Sequence, residues 1–229
     1  MRIDVLPDPK AAARAAAMRI AALAQESVAV RGRFVVAVSG GHSPWHMLEA
    51  LTLLGVPWRN VQLLQVDERV APAGDPDRNA THIRESLLTR APLSADQVHL
   101  MPVESPDLSE AAARYAETIA SLAGSPPILD LVHLGLGPDG HTASLVPGDP
   151  VLDVMDRDVA LAGPYQGHRR MTVTYPLLNR ARRILWLVTG HDKPAMLARL
   201  RDGDRAIPAG RVSADAAEVF ADADAATAL

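Results

Sequence analysis

The chain has 229 residues, no cysteine and a formal net charge of −4. This length supports a full hydrophobic core, and the absence of thiols excludes disulfides, thiolate catalysis and thiolate metal sites. Lysine and arginine are dispersed among acidic residues, so the charge pattern disfavours nucleic acid as a partner. Charges interrupt the apolar residues of the first segment and no apolar run reaches the length of a membrane span, which predicts a cytoplasmic protein without a membrane partner.

Short apolar runs alternate with helical stretches along the chain, as is typical of α/β proteins. Asp8 and Pro9 supply an N-cap and a first helical residue for an alanine-rich helix that ends before Gly32, and Pro164 predicts a loop. Strands are predicted at residues 3–6, 34–38, 61–66, 98–101, 129–134, 159–162, 171–174, 184–188 and 219–220. Further helices are predicted at residues 44–55, 79–90, 105–123 and 192–201. We therefore predict one α/β domain, residues 1–229, with a doubly wound, mostly parallel sheet flanked by helices.

The loop after the second predicted strand is rich in glycine. Gly40 and Gly41 lead to Ser43, a candidate cap, and Pro44, which can open a helix. Free amides and the helix dipole at such a terminus favour a phosphate or a carboxylate. The loop has neither a Walker lysine nor the glycine spacing of a dinucleotide site, so no nucleotide site is predicted. The alternative is a simple capped helix.

The loop predicted after the third long apolar run carries charge. It contains Asp67, Glu68 and Arg69. The Arg69 guanidinium offers a bidentate fork for phosphate, while Asp67 or Glu68 could hold sugar hydroxyls or balance the positive charge. The alternative is a surface ion pair. Arg170 and Lys193 add cations further along the chain.

The most informative segment is Gly135-Leu136-Gly137-Pro138-Asp139-Gly140-His141-Thr142-Ala143-Ser144, directly after the run 129–134. Its glycines allow a tight turn and a close approach of ligand to backbone. Ligands of open α/β sheets bind at the carboxyl ends of the strands, where this segment places His141. Asp139 could orient that imidazole. The alternative is an ordinary turn with a solvated histidine.

In this order, the segments resemble the 6-phosphogluconolactonase family over nearly the whole chain. The most specific element is Gly-Pro-Asp-Gly-His-Thr-Ala-Ser-Leu-x-Pro-Gly, found here from Gly137 to Gly148. The other matching segments are Val38–Pro44, Asp67–Arg69 with Asn79, and Arg170–Thr174 with Asn179 and Lys193.

The resemblance implies hydrolysis of 6-phospho-D-glucono-1,5-lactone to 6-phosphogluconate in the oxidative pentose phosphate pathway. It implies a fold shared with glucosamine-6-phosphate deaminases and ribose-5-phosphate isomerases, and no cofactor; no metal is expected either. The partner it implies is a small phosphosugar lactone, and a monomer or a small homo-oligomer is expected. By position, His141 matches the proposed general base and Asp139 its neighbour. Further residues match the positions around the phosphate or the lactone: Gly40, Gly41, Ser43, Asp67, Arg69, Arg170 and Lys193.

Two other functions fit a shared fold. Glucosamine-6-phosphate deaminases follow the Gly-His pair with an Ala-Phe-Asn-Glu-Pro type sequence, and residues 143–147 here have no such glutamate. A sugar-phosphate-binding regulator without turnover is the second alternative, against which the intact Asp139 and His141 argue.

Several polar residues are not assigned to the site. His133, within an apolar strand, is expected to be a core histidine with a satisfied nitrogen. Zinc held by His42, His46 and His82 is the weaker interpretation, since no carboxylate completes a familiar ligand spacing. Ser144 lacks the surroundings of a nucleophile elbow.

Overall fold

The structure, a computed structural model, describes all residues from 1 to 229 and contains two β-sheets. Its strands are β1 Arg2–Leu6, β2 Phe34–Val38, β3 Val61–Gln65, β4 Asp67–Arg69, β5 Val98–His99, β6 Leu131–Leu134, β7 Val159–Tyr165, β8 His168–Val173, β9 Ile184–Val188 and β10 Ala217–Asp222. Seven strands form a parallel sheet in the order β1-β10-β9-β6-β2-β3-β5. The other three form an antiparallel sheet in the order β4-β8-β7.

The helices begin and end where local signals place them. The Asp8 carboxylate accepts a hydrogen bond from the Ala11 amide at 2.7 Å, and Gly32 ends the first helix with a φ of 74°. The helices are α1 Pro9–Arg31, α2 His42–Leu51, α3 Asn79–Ile83, α4 Leu108–Ala123, α5 Tyr175–Arg180 and α6 Pro194–Arg201. None of them combines the length and the apolarity that crossing a membrane requires.

The parallel sheet carries an apolar cluster on each face. The larger cluster, of 39 buried residues, joins the sheet to α4, α5, α6 and the antiparallel sheet. The smaller, of 24 buried residues, joins it to α1 and α2. Because both faces are covered, β2 and β9 are buried along their whole length, which explains their continuous apolar sequences. The predicted α/β fold with a mostly parallel sheet is confirmed.

The antiparallel sheet was not predicted, and it corrects two expectations. Asp67–Arg69 was predicted to be a loop, but it is the edge strand β4, whose residues pair with Arg170, Met171 and Thr172 of β8. Pro164 was predicted to lie in a loop, but it lies within β7. Its exposed position on an edge strand explains why a residue without an amide hydrogen is tolerated there.

The start of α2 also differs from the prediction. Gly41 occupies the N-cap position with a φ of 117°, and the helix begins at His42. Ser43 therefore lies inside the first turn and is not the cap. Its hydroxyl instead makes a short hydrogen bond with the Thr189 hydroxyl, which joins α2 to the loop after β9. The helix ends at Leu51, before the predicted end at Gly55.

Candidate active site

A cleft of about 220 Å³ lies at the carboxyl ends of β2, β3 and β6, next to the antiparallel sheet. This is where ligands of open α/β sheets bind. Seven of the nine predicted site residues line the cleft: Gly40, Gly41, Asp67, Arg69, His141, Arg170 and Lys193. Four other clefts, of about 370 to 600 Å³, are larger, but none of them is lined by the two glycine-rich loops or by a predicted site residue, so we assign the site to the smaller cleft.

His141 is held by Asp139, which lies beside it and outside the cleft lining. The Asp139 Oδ1 is 2.6 Å from His141 Nδ1 and also accepts a hydrogen bond from the His141 amide at 3.1 Å. Because a carboxylate only accepts hydrogen bonds, Nδ1 carries the proton and Nε2 is the free base. Gly137 leaves room for the ring, since a Cβ there would lie 2.0 Å from Nδ1. The imidazole therefore has a defined tautomer and orientation at the cleft.

The charge of Asp139 is favoured by its partners. Burial alone would raise the pKa of this carboxyl. Hydrogen bonds from the His141 side chain and amide, and from the Tyr165 hydroxyl, outweigh that effect, so the pKa of Asp139 is lower than its ordinary value. Asp139 is thus an anion that can stabilise a proton on the neighbouring imidazole.

The two neighbouring acids of β4 have different environments. Glu68 is fully buried and accepts hydrogen bonds from the amides of Arg69, Asn79 and Ala80, each at 2.8 Å. It therefore fixes the chain around the start of α3 and does not line the cleft. Asp67 lines the cleft and accepts a hydrogen bond from the Ser144 hydroxyl at 2.6 Å. The interpretation of this segment as a surface ion pair is wrong, because both carboxylates are buried.

Three cations surround the cleft. Arg170 is only 3% exposed, and its guanidinium donates hydrogen bonds to the Tyr165 carbonyl oxygen at 3.1 and 3.3 Å. Burial, and next the charge of Arg69, lower the pKa of Arg170. Lys193 donates to Asp192 at 2.7 Å, and Arg69 donates to the Asp77 carbonyl oxygen. Asp67 is the one carboxylate in the lining, so the cleft carries an excess of positive charge suited to an anionic ligand.

The glycine loop after β2 closes the cleft on a further side. A Cβ at Gly40 would lie 1.9 Å from the Asn79 side-chain oxygen, so only glycine fits against that amide. The Asn79 side chain in turn donates to the Asp67 carbonyl oxygen at 3.0 Å. Ser43, the remaining predicted site residue, is not part of the lining. The loop therefore presents backbone from Gly40 and Gly41 rather than a serine hydroxyl.

Two residues at the site were not predicted: Tyr165, the last residue of β7, and Gln166, in the turn between β7 and β8. Gln166 lines the cleft, and the Tyr165 hydroxyl donates to Asp139 Oδ2 at 3.1 Å. Gln166 and Gly167 have φ values of 51° and 84°, as the central residues of a type I′ hairpin turn require. A polar Gln-Gly pair between two apolar runs was the available signal, and it is weaker than the Asn-Gly pair that marks such turns.

Three other histidines, His42, His82 and His133, have packing roles or neighbours outside the cleft lining. His133 is fully buried, its Nδ1 accepts a hydrogen bond from the Ser39 amide at 3.3 Å, and burial lowers its pKa to about 3. His42 and His82 pack against the Trp45 ring, with centroid separations of 4.5 and 3.8 Å. No group of three or more histidine, aspartate or glutamate side chains is arranged to hold a metal ion.

Known proteins resemble the chain in sequence and in fold. The sequence model for glucosamine-6-phosphate isomerases/6-phosphogluconolactonase matches residues 7–221. A 6-phosphogluconolactonase of Synechocystis is 34% identical over 203 residues, which cover 87% of this chain and 84% of that protein. The crystal structure of the Thermotoga maritima 6-phosphogluconolactonase superposes with a TM-score of 0.86 at 26% identity, covering 96% of this chain and 98% of that one.

A monomeric glucosamine-6-phosphate deaminase has the same fold, with a TM-score of 0.87 at 18% identity over the full length of both chains. Fold similarity at this identity does not carry a function. The match of the family model over most of the sequence, and the identity to the Synechocystis protein, show the family. The chain belongs to the glucosamine-6-phosphate isomerase/6-phosphogluconolactonase family.

Proposed function

We propose that this chain hydrolyses 6-phospho-D-glucono-1,5-lactone to 6-phosphogluconate, the second step of the oxidative pentose phosphate pathway, with His141 as the general base. Relatives named 6-phosphogluconolactonase support the reaction. The observation that carries the assignment of the base is the His141–Asp139 pair, whose imidazole lines a cleft with three cations around it.

The chemistry requires little beyond these groups. A lactone has a reactive carbonyl, so the enzyme needs to position a water, accept its proton and stabilise the oxyanion that forms. The His141 Nε2 would take the proton as the water oxygen attacks the carbonyl carbon. The imidazolium would then return a proton to the ring oxygen as the carbon–oxygen bond breaks. Asp139 stabilises the intermediate imidazolium, because its carboxylate accepts a hydrogen bond from the protonated Nδ1 and remains an anion.

The phosphate would be held on the glycine side of the cleft. Backbone amides at the start of α2, next to Gly40 and Gly41, suit an anion, and the side chains of Arg69, Arg170 and Lys193 add formal positive charge. Asp67 is the group that would accept hydrogen bonds from sugar hydroxyls, because it is the carboxylate in the lining.

The same proposal covers the domain organisation, the cellular location and the oligomeric state. We propose that residues 1–229 act as one domain, because both apolar clusters pack against the same parallel sheet. The enzyme would work in the cytoplasm as a monomer or a small homo-oligomer and without nucleic acid, in keeping with a net charge of −4 and dispersed cations.

The proposal is tested by acid release from freshly generated 6-phosphogluconolactone, corrected for spontaneous hydrolysis. We expect rapid turnover by the wild type and a loss of about 100- to 10,000-fold in kcat for His141→Ala, the usual contribution of a positioned base. His46→Ala is the matched control, because His46 is an exposed histidine of α2 outside the cleft.

Two results would contradict the proposal. Near-normal turnover by a folded His141→Ala variant would remove His141 from the role of base. No acceleration by folded wild type would reject lactone hydrolysis itself and would direct the search to ammonia release from glucosamine-6-phosphate.

A further inference from the structure

The hairpin that joins β7 to β8 is built to deliver one tyrosine to the His141–Asp139 pair. A register shift between Ala162 and Tyr165 displaces the end of β7, and the two-residue turn follows directly. Arg170 of β8 reaches back and donates two hydrogen bonds to the Tyr165 carbonyl oxygen. The Arg170 guanidinium carbon also lies 5.2 Å from the centre of the Tyr165 ring, at cation–π distance. The position of Tyr165 is thus fixed by a buried residue.

The Tyr165 hydroxyl has one proton to donate and lies near two polar atoms of the pair. Asp139 Oδ2 is 3.1 Å away and His141 Nδ1 is 3.4 Å away. Nδ1 cannot accept, because its lone pair carries the proton that it donates to Asp139 Oδ1. The hydroxyl therefore donates to the carboxylate, and hydrogen bonds to charged groups are the stronger kind.

Each oxygen of Asp139 consequently has its own donor. His141 occupies Oδ1 through its ring and its amide, and Tyr165 is the protein donor to Oδ2. The Asp139 side chain is 35% exposed, so without the hydroxyl Oδ2 would face water and the carboxylate could rotate away from the imidazole. The Tyr165 ring also packs edge-on against the His141 ring, with centroids 5.1 Å apart.

We propose that Tyr165 is a positioning residue, which fixes the Asp139 carboxylate and through it the tautomer and orientation of the His141 ring. The expected effect of Tyr165 on turnover rests on the proposed function, in which His141 is the base. Tyr165 then acts on the proton-transfer step and not on the binding of the lactone. A direct contact between Tyr165 and the substrate is the competing interpretation, and the experiment separates the two.

The first experiment is a double-mutant cycle on lactone hydrolysis with wild type, Tyr165→Phe, Asp139→Asn and the double variant. We expect Tyr165→Phe to lower kcat about tenfold and to leave KM within about twofold, because the lost group is a hydrogen bond to a charged partner. In the Asp139→Asn background the same change should have no further effect on kcat, since the carboxylate through which Tyr165 acts is gone. Independent, multiplying effects, or a change confined to KM, would overturn the proposal.

The second measurement needs no substrate, so it separates this proposal from the proposed function. The hydrogen-bonded Nδ1 proton of His141 is observed by proton NMR, and its exchange with water is measured in the folded protein. Tyr165→Phe should accelerate that exchange, because the acceptor is no longer fixed. Exchange identical to the wild type would refute the positioning role, whatever the enzyme proves to hydrolyse.

Tyr115→Phe is the matched control. Tyr115 belongs to α4, and its buried hydroxyl lies within hydrogen-bonding distance of backbone atoms of Gln65 and His99 and outside the cleft lining. Its removal should destabilise the fold without changing kcat or the exchange of the His141 proton. An equal effect of the two substitutions would show that Tyr165 has only a structural role and would also overturn the proposal.

Discussion

The two sheets contribute different chemistry to the same cleft. The parallel sheet contributes loops at its strand ends, which present the backbone of Gly40 and Gly41 and the imidazole of His141. The antiparallel sheet contributes side chains from its strands, namely the guanidinium groups of Arg69 and Arg170. The proposed base and most of the cationic charge are thus held by separate sheets. Changes at the base should therefore affect mainly kcat, and changes at the cations mainly substrate binding.

The sheets also differ in how they tolerate a buried ionisable group. In the parallel sheet, His133 of β6 is fully buried and burial lowers its pKa to about 3, which keeps it neutral. In the antiparallel sheet, Arg170 is almost as buried, but it has the Tyr165 carbonyl oxygen as acceptor and Asp67 3.9 Å away. A neutral group suits the apolar sheet, and a charged group requires partners.

The largest effect is expected from Arg69→Ala, which tests whether a cation of the antiparallel sheet acts on substrate binding. We expect KM for 6-phosphogluconolactone to rise about 10- to 100-fold with a small change in kcat, because the proposed phosphate site loses a charged hydrogen-bond donor. Hydrolysis of unphosphorylated glucono-1,5-lactone should not change. The measurement is steady-state kinetics with both lactones, and Arg84→Ala, an exposed arginine outside the cleft, is the control. Equal losses with both lactones would place Arg69 at the reacting carbonyl instead.

A change of intermediate size is expected in the pH dependence of stability. Between about pH 6.5 and about pH 3 the unfolded chain binds a proton on His133 that the folded chain does not, so the free energy of unfolding decreases as the pH falls through this window. At pH 5 this loss amounts to about 2 kcal/mol relative to pH 7. His133→Asn retains an acceptor for the Ser39 amide but does not titrate. Between pH 7 and pH 5 its free energy of unfolding should therefore decrease by about 2 kcal/mol less than that of the wild type.

Urea unfolding at pH 7 and pH 5 measures this difference. His99 also has a pKa lowered by burial and contributes to the slope of both proteins, so the comparison of wild type with His133→Asn isolates the buried imidazole. His46→Asn, at an exposed position, is the control for the histidine-to-asparagine change itself. A parallel loss of stability in wild type and His133→Asn would show that the folded protein accepts the proton on His133.

The smallest effects are expected at two turn residues, one in the loop after β6 of the parallel sheet and one between β7 and β8 of the antiparallel sheet. Ala143 and Gln166 are the residues other than glycine with positive φ, at 48° and 51°. Glycine at either position relieves backbone strain of roughly 1–2 kcal/mol but loses roughly 0.5–1 kcal/mol through its flexibility, so the net change in stability should lie between about zero and a gain of about 1.5 kcal/mol. Only Gln166→Gly removes a polar side chain from the cleft and should lower kcat/KM about two- to tenfold.

Thermal unfolding and kinetics on Ala143→Gly and Gln166→Gly check this pair. Equal kinetics in the two variants would show that Gln166 supports only the turn. A large loss of stability in either would mean that its left-handed conformation is not the strained feature of the turn.

Much of the fold, and part of the site, was predictable because the signals are local in the sequence. The cap at Asp8, the stop at Gly32 and the buried strands β2 and β9 follow from patterns within a few residues, and their bounds agree with the prediction. The loops that hold Gly40 and His141 could be placed together, because the carboxyl ends of parallel strands meet at one edge of a sheet.

The strands of the antiparallel sheet could not be placed in this way. Asp67–Arg69 has no strand-like alternation, and its extended conformation comes from pairing with Arg170, Met171 and Thr172, far away in sequence. The same holds for Tyr165, whose hydroxyl meets Asp139 only because the hairpin folds over the cleft.

Local sequence patterns were sufficient to predict the elements of the parallel sheet, the family to which the chain belongs and the identity of the candidate base. The tertiary structure alone decided which of the two β4 carboxylates faces the cleft, that Ser43 is turned toward Thr189, and that Tyr165 joins Asp139. The physical reason is that helix caps and buried strands depend on neighbours in sequence. Antiparallel pairing and the choice of hydrogen-bond partner depend on contacts made only when distant segments pack.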